Sequence, residues 1–149
     1  MKKRWCLELE DLRSLLHALY KKYEILQKNG CRLCELDLSL AHSDILYEIN
    51  RHQQPSMHQI AEILGVDITT FSRQIQTLIK AGLVNKSTNP EDKRMFFLSL
   101  TEEGEQAAAK IDSNLNKRLD DLLKQLSDFE RNTVIHSLQI LTKVMGSNK

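Results

Sequence analysis

Apolar residues recur every three to four positions along most of the chain, and that period breaks only once. Leu9, Leu12, Leu15, Leu16, Leu19, Tyr23 and Leu26 form one stripe, which predicts a helix from about Leu7 to Lys28. Ile45, Leu46 and Ile49 mark a second helix, Leu40 to His52, with Ser39 as its N-cap. Ser56 caps a short third helix, Met57–Leu64, and Asp67 caps a fourth, Ile68–Ala81, with Phe71, Ile75, Leu78 and Ile79 inward. In each case a side-chain oxygen can accept from backbone N–H groups that the first turn leaves without partners. Leu83–Thr88 and Met95–Leu100 then read as two short strands. They flank Asn89-Pro90-Glu91-Asp92, whose proline at the second position suits a type I turn. Helical spacing resumes from Thr101 to about Leu126, and Ser127-Asp128-Phe129-Glu130 is a capping box that opens a last helix to about Met145. Gly30, Gly65, Gly82 and Gly146 each follow an apolar helical run, where a helix end favours a left-handed residue. The predicted order is ααααββαα, mainly α with a small β-hairpin (α+β).

Composition narrows the class. The chain has 149 residues, 41% hydrophobic and 28% charged, enough to bury one core without disulfides and unlike a disordered or fibrous chain. No apolar run approaches the roughly 18 residues that a membrane span needs, so no membrane partner is expected. Met1-Lys2-Lys3-Arg4-Trp5 leads into charged helix and not into a signal-peptide core. The 3 cysteines are odd in number and too few for a secreted disulfide framework. A cytoplasmic protein is the expectation. The net charge of +1 argues against a purely electrostatic binder of nucleic acid. Only the middle of the chain is basic, with 5 basic and 2 acidic residues from Ile68 to Arg94.

Ala61 on the third helix, Gly65 in the following turn and Phe71 on the fourth helix carry the sharpest signal. A small side chain lets the next helix cross closely, the glycine permits a tight turn, and the apolar residue holds the second helix against the first. Two short helices on such a turn, followed by a hairpin, describe a winged helix-turn-helix. Gln59-Ile60-Ala61-Glu62-Ile63-Leu64-Gly65, Ser72-Arg73-Gln74-Ile75 and Leu78-Ile79-Lys80-Ala81-Gly82-Leu83-Val84 resemble the helix-turn-helix of the MarR family of transcriptional regulators. Asp92-Lys93-Arg94, followed by Leu98-Ser99-Leu100-Thr101-Glu102-Glu103-Gly104, is similar to that family's wing.

Groove geometry and this resemblance give each residue an expected role. Thr69, Thr70, Ser72, Arg73, Gln76 and Thr77 lie off the apolar face of the fourth helix, where hydroxyls, amide and guanidinium can meet base edges or phosphates. Ser56 at the start of the third helix offers a helix N-terminus to a phosphate. The resemblance implies that Arg94 enters the minor groove, with Lys93 beside it. Asp92 is ill suited to face DNA, and its expected role is to hold an arginine in place by a charge-assisted bond. The partners are then double-stranded DNA and a second copy of the chain. Leu115, Leu119, Leu122, Leu123 and Leu126, then Val134, Leu138, Leu141, Val144 and Met145, exceed what one small core requires. The family dimerises through its terminal helices, which predicts a helical dimerisation region at 1–38 and 105–149 around a DNA-binding lobe at 39–104. The function implied is a homodimeric repressor of a pseudo-palindromic operator, released by a signal.

The signal stays open among three readings: thiol oxidation, a metal or a small aromatic effector. Cys31-Arg32-Leu33-Cys34 is a candidate thiol switch, with Arg32 favouring the thiolate. As a metal site it is half of a tetrahedral set, with Glu24, His42 or Cys6 as weak further ligands. The third reading of the pair is two ordinary residues of a connection. Peroxide-sensing members of the family carry their cysteine near the position of Leu15, where this chain has none. Zinc-sensing members use histidines on the fifth helix, and residues 102–126 contain none. Many members of the family bind small aromatic ligands between the dimer helices and the DNA-binding lobe, a cleft that Arg13, His17, Tyr20 and Tyr23 of the first helix could line. No certain cofactor follows. Neither a phosphate loop, a nucleophile elbow nor paired carboxylates point to an enzyme, and Cys31–Cys34 lacks the βαβ setting of a thiol oxidoreductase. The rival reading is a thiol- or metal-responsive winged-helix interaction module that does not itself bind DNA. Such a module tends to lose the wing arginine and the polar face of the fourth helix, and both are kept here.

Overall fold

The computed structural model describes residues 2–32 and 38–146, with side chains placed over 11–29 and 38–146. Among the described residues six helices and one hairpin follow in the predicted order: α1 (Lys2–Arg32), α2 (Leu40–Arg51), α3 (Met57–Leu64), α4 (Ile68–Lys80), β1 (Val84–Thr88), β2 (Phe96–Leu100), α5 (Glu102–Leu123) and α6 (Asp128–Gly146). The chain divides into two compact units, residues 1–115 and 116–149. α1 is longer at both ends than its apolar stripe predicts, and Gly30 lies inside it instead of ending it.

The first unit owes its core to the faces that α2, α3 and α4 turn toward one another. Ile45, Leu46, Ile60, Phe71, Ile75 and Leu78 are fully buried there, and Ala61 is almost so. Burying each large side chain is worth roughly 1.5–3 kcal/mol, so this cluster fixes how the three helices cross. Gly65 closes α3 at φ 64°, a left-handed conformation that costs a residue with a Cβ about 1–2 kcal/mol. Its turn is sealed by the Val66 N–H donating to the Ala61 carbonyl at 2.9 Å. The predicted small–glycine–apolar spacing therefore sits where helix crossing demands it.

β1 and β2 pair antiparallel from Val84 opposite Leu100 to Thr88 opposite Phe96. A third rung, unpredicted, joins them: the Leu98 N–H donates to the Pro55 carbonyl at 2.9 Å, and Ser56 bridges Phe97. The hairpin is thus tied to the start of α3 as well as to α5. α2 begins in a capping box. The Ser39 hydroxyl accepts from the His42 N–H at 3.3 Å, and His42 Nδ1 accepts from the Ser39 N–H at 3.4 Å. Burial holds the His42 imidazole below its ordinary pKa, which keeps that nitrogen an acceptor.

The second unit holds the end of α5 and all of α6. The predicted box at its turn is present, with Glu130 accepting from the Ser127 N–H at 2.9 Å and the Ser127 hydroxyl at 2.7 Å. α5 ends at Leu123, earlier than its apolar run predicts, because the Gln125 and Leu126 N–H groups turn back to Leu122 and Leu123. α6 has no buried residue at all.

Candidate nucleic-acid interface

Asp67 sets the start of α4. Its carboxylate accepts from the Thr69 and Thr70 N–H groups at 3.1 and 2.9 Å. Bonds from the Thr70 hydroxyl and these amides hold it below the usual carboxylate range. From that start, Phe71, Ile75 and Leu78 point into the core, and the opposite side faces solvent. Ile68, Thr69, Ser72, Arg73 and Gln76 line one open, shallow depression there. The side chains of Thr69, Ser72, Arg73 and Gln76 hold no bond or ion pair within the chain among the described residues. α4 carries no carboxylate of its own. The surface therefore offers hydroxyl, amide and guanidinium groups with their donors and acceptors unused, beside a net positive charge.

The six polar residues expected on this face divide into two kinds. Thr69, Ser72, Arg73 and Gln76 come together in the depression. Thr70 and Thr77 do not join them. The Thr70 hydroxyl belongs to the Asp67 cap, and the Thr77 hydroxyl donates to the Arg73 carbonyl at 3.2 Å, so each is engaged by its own helix. Ser56 is the N-cap of α3, as its spacing predicts. It is 4% exposed, and its hydroxyl accepts from the Gln59 N–H at 3.1 Å while Gln59 Oε1 accepts from the Ser56 N–H at 2.8 Å. The cap occupies the hydroxyl, and the phosphate role expected at this helix start belongs to its backbone N–H groups and dipole.

At the hairpin tip, Lys93 and Arg94 are exposed and hold no ion pair among the described residues. Asp92 supports the tip in a way the sequence does not reveal. Its carboxylate accepts from the Arg94 backbone N–H at 2.9 Å and pairs with no guanidinium among the described residues, while its carbonyl accepts from the Met95 N–H at 2.9 Å. Asn89 makes a matching turn, accepting from the Glu91 N–H at 2.9 Å. Lys86 Nζ lies 3.8 Å from the centre of the Phe96 ring, bracing the strands below. The turn chemistry fixes the backbone and leaves the Arg94 side chain unengaged.

Two of the candidate sensing residues, Glu24 and His42, are engaged elsewhere in the described structure. Cys34 lies outside the described residues, as does the side chain of Cys31. Glu24 pairs with Lys21 at 3.0 Å and Lys28 at 3.2 Å, and His42 is held in the α2 cap. Among the described residues no three His, Cys, Asp or Glu side chains form a metal-holding group. Ile68 is the residue of the depression that helical periodicity missed. Spacing puts it on the stripe with Phe71 and Ile75, yet it is 39% exposed.

Two short helices on a capped turn, followed by a hairpin whose tip presents a cation, define a winged helix-turn-helix. Residues 38–96 match the model of the MarR family of transcriptional regulators, so this stretch of the chain is a MarR-family domain. It is 25% identical over 140 residues to the HTH-type transcriptional regulator BilQ of Clostridioides difficile, across 93% of this chain and 92% of the relative. It is similar to wild-type MarR of E. coli in its apo form, with TM-score 0.75 and 25% identity over 87% of this chain and 96% of that one. A mutant of E. coli MarR complexed with operator DNA shares the fold, with TM-score 0.75 and 24% identity over 90% of this chain and 95% of that one. The domain and these relatives are those of transcriptional regulators and not of enzymes.

Proposed function

We propose that the chain is a homodimeric, sequence-specific DNA-binding repressor that covers a pseudo-palindromic operator and leaves it when a signal arrives. The observation that carries this reading is the unengaged polar surface of α4, with Thr69, Ser72, Arg73 and Gln76 on one depression and Arg94 unpaired on the wing. Side chains in structural service are bonded to their own chain, as Thr70 and Thr77 are. These five are held ready for a partner rich in acceptors and negative charge. The operator complex of the E. coli relative supports the choice of DNA. In this reading α4 lies in the major groove and Arg94 in the minor groove, with residues 39–104 as the reading lobe.

One such helix contacts only a few base pairs, so the reading requires a second copy. Residues 1–38 and 105–149 form the dimerisation region. Leu15 and Leu19 of α1 are exposed, as are Val134, Leu138 and Val144 of α6. Apolar faces of that extent are unfavourable in water and mark a partner surface. Among the described residues no helix is long and apolar enough to cross a membrane, which suits a protein that works on cytoplasmic DNA. The signal is a small aromatic effector, a metal or oxidation at Cys31 and Cys34.

Selection of duplexes from a random library by the reduced protein tests the reading. The expected product is an inverted repeat with half-sites centred roughly 10–10.5 base pairs apart, one helical turn. Enrichment of no sequence overturns it, and enrichment of a single unrepeated half-site overturns the dimer.

A further inference from the structure

Every large apolar side chain of α4 that points inward from Phe71 to Leu78 is fully buried, and Ile68 is not. It is the first helical residue after the Asp67 cap, 39% exposed, and it shares its depression with Thr69, Ser72, Arg73 and Gln76. An exposed isoleucine amid unengaged polar groups gains nothing from water. In the major groove it has one natural counterpart, because thymine alone among the four bases presents a methyl group there. Residues at the N-terminal end of a recognition helix are also those that reach base edges.

We infer that Ile68 is a specificity-determining residue that reads the C5-methyl group of a thymine in each half-site. The inference rests on the DNA-binding reading above and deepens it. Thr69 beside it can add its own methyl group to the same apolar contact, and its hydroxyl can bond the thymine O4. Arg73 and Gln76, one and two turns further along α4, face other base pairs with their own donors and acceptors. A half-site for this chain therefore holds at least one thymine whose methyl group, and not only its hydrogen-bonding edge, contributes to affinity.

The test uses the duplex enriched by the full-length reduced protein. Each thymine in turn is replaced by deoxyuridine at both symmetric positions, which removes one methyl group per half-site and keeps the pairing. At one thymine the wild type is expected to lose about fourfold in affinity per half-site, the worth of one buried methyl-sized group. The I68A variant is expected to bind the thymine duplex more weakly and to treat thymine and deoxyuridine alike at that position. The I68V variant keeps part of the discrimination. Wild-type binding indifferent to every replacement overturns the inference while leaving DNA recognition intact. Discrimination kept in full by I68A assigns the methyl contact to another residue and overturns it too. Failure to enrich any duplex removes the DNA-binding reading, and this inference with it.

Discussion

Gly104, in the first turn of α5, lies so close to Leu83 that a Cβ at position 104 would run into the Leu83 carbonyl oxygen. That carbonyl also accepts from the Thr101 N–H at 3.1 Å. The Thr101 hydroxyl donates to the Gly82 carbonyl at 2.6 Å and accepts from the Gly104 N–H at 2.9 Å. One threonine thus caps α5 and ties it to the segment entering the wing. The glycine permits the approach.

Replacing Gly104 with alanine sets two effects against each other. Helix propensity favours alanine by about 1 kcal/mol, while overpacking against backbone that cannot swing aside costs about 1–3 kcal/mol. The clash wins, so the urea midpoint of G104A falls. Thr101→Val removes both hydroxyl bonds and lowers stability by about 1–2 kcal/mol. An unchanged midpoint in both variants contradicts the clamp.

Arg94→Ala weakens DNA binding without lowering the unfolding midpoint, and it reduces the slope of log affinity against log salt by about 1 if the guanidinium meets a phosphate. Asp92 separates two explanations of the tip. Asp92→Asn keeps an oxygen that can accept from the Arg94 N–H and leaves binding intact, whereas Asp92→Ala loses the turn and binds several-fold more weakly. Equal loss in both variants returns the role to the negative charge.

Much of this was legible in the sequence. Ala61, Gly65 and Phe71 located the helix pair because tight crossing needs those side-chain sizes at those positions. Ser39, Asp67 and Ser127 located helix starts because capping is local chemistry. What depends on tertiary placement was not legible. The Pro55–Leu98 rung joins residues 43 apart, which no local pattern reports. Exposure of Ile68 depends on where the core stops. Ser56 carries the same cap signal whether its hydroxyl faces solvent or is buried, so its burial could not be judged from spacing. Thr70 and Thr77 show the same limit, since periodicity finds the solvent face but not the bonds made on it.

Acid weakens the first unit through His42. Its folded pKa is lowered by burial, so its contribution is present above the ordinary imidazole value, about 6.5, and is lost as pH falls through that value toward the folded one. The urea midpoint therefore drops as pH falls below about 6.5 and levels off once the folded imidazole is charged. His42→Gln, which keeps an acceptor for the Ser39 N–H, drops less. Asp44 behaves oppositely. Burial raises its carboxyl, so its contribution is present below the ordinary carboxylate value and is lost as pH rises through the folded one. Asp44→Asn, able to keep the 3.1 Å bond from Gln27 Nε2, raises the midpoint at neutral pH. The same acid-induced drop in H42Q as in wild type contradicts the assignment to His42.

The paired replacement of Cys31 and Cys34 by serine leaves DNA binding by the reduced, metal-free protein unchanged. If oxidation is the signal, the variant also keeps binding after mild peroxide treatment that releases the wild type. Loss of binding by the reduced variant makes the pair part of the DNA-bound structure instead of a receiver.

The measurement that bears most directly on the account is a fluorescence anisotropy titration of the reduced protein against DNA from upstream of its own gene. A scrambled duplex of the same length serves as control, at two salt concentrations. The account predicts saturable binding to a pseudo-palindromic segment, at least about 1,000-fold tighter than to the scrambled duplex and weakened by salt. Affinity equal for the two duplexes would contradict sequence-specific recognition by the face of α4.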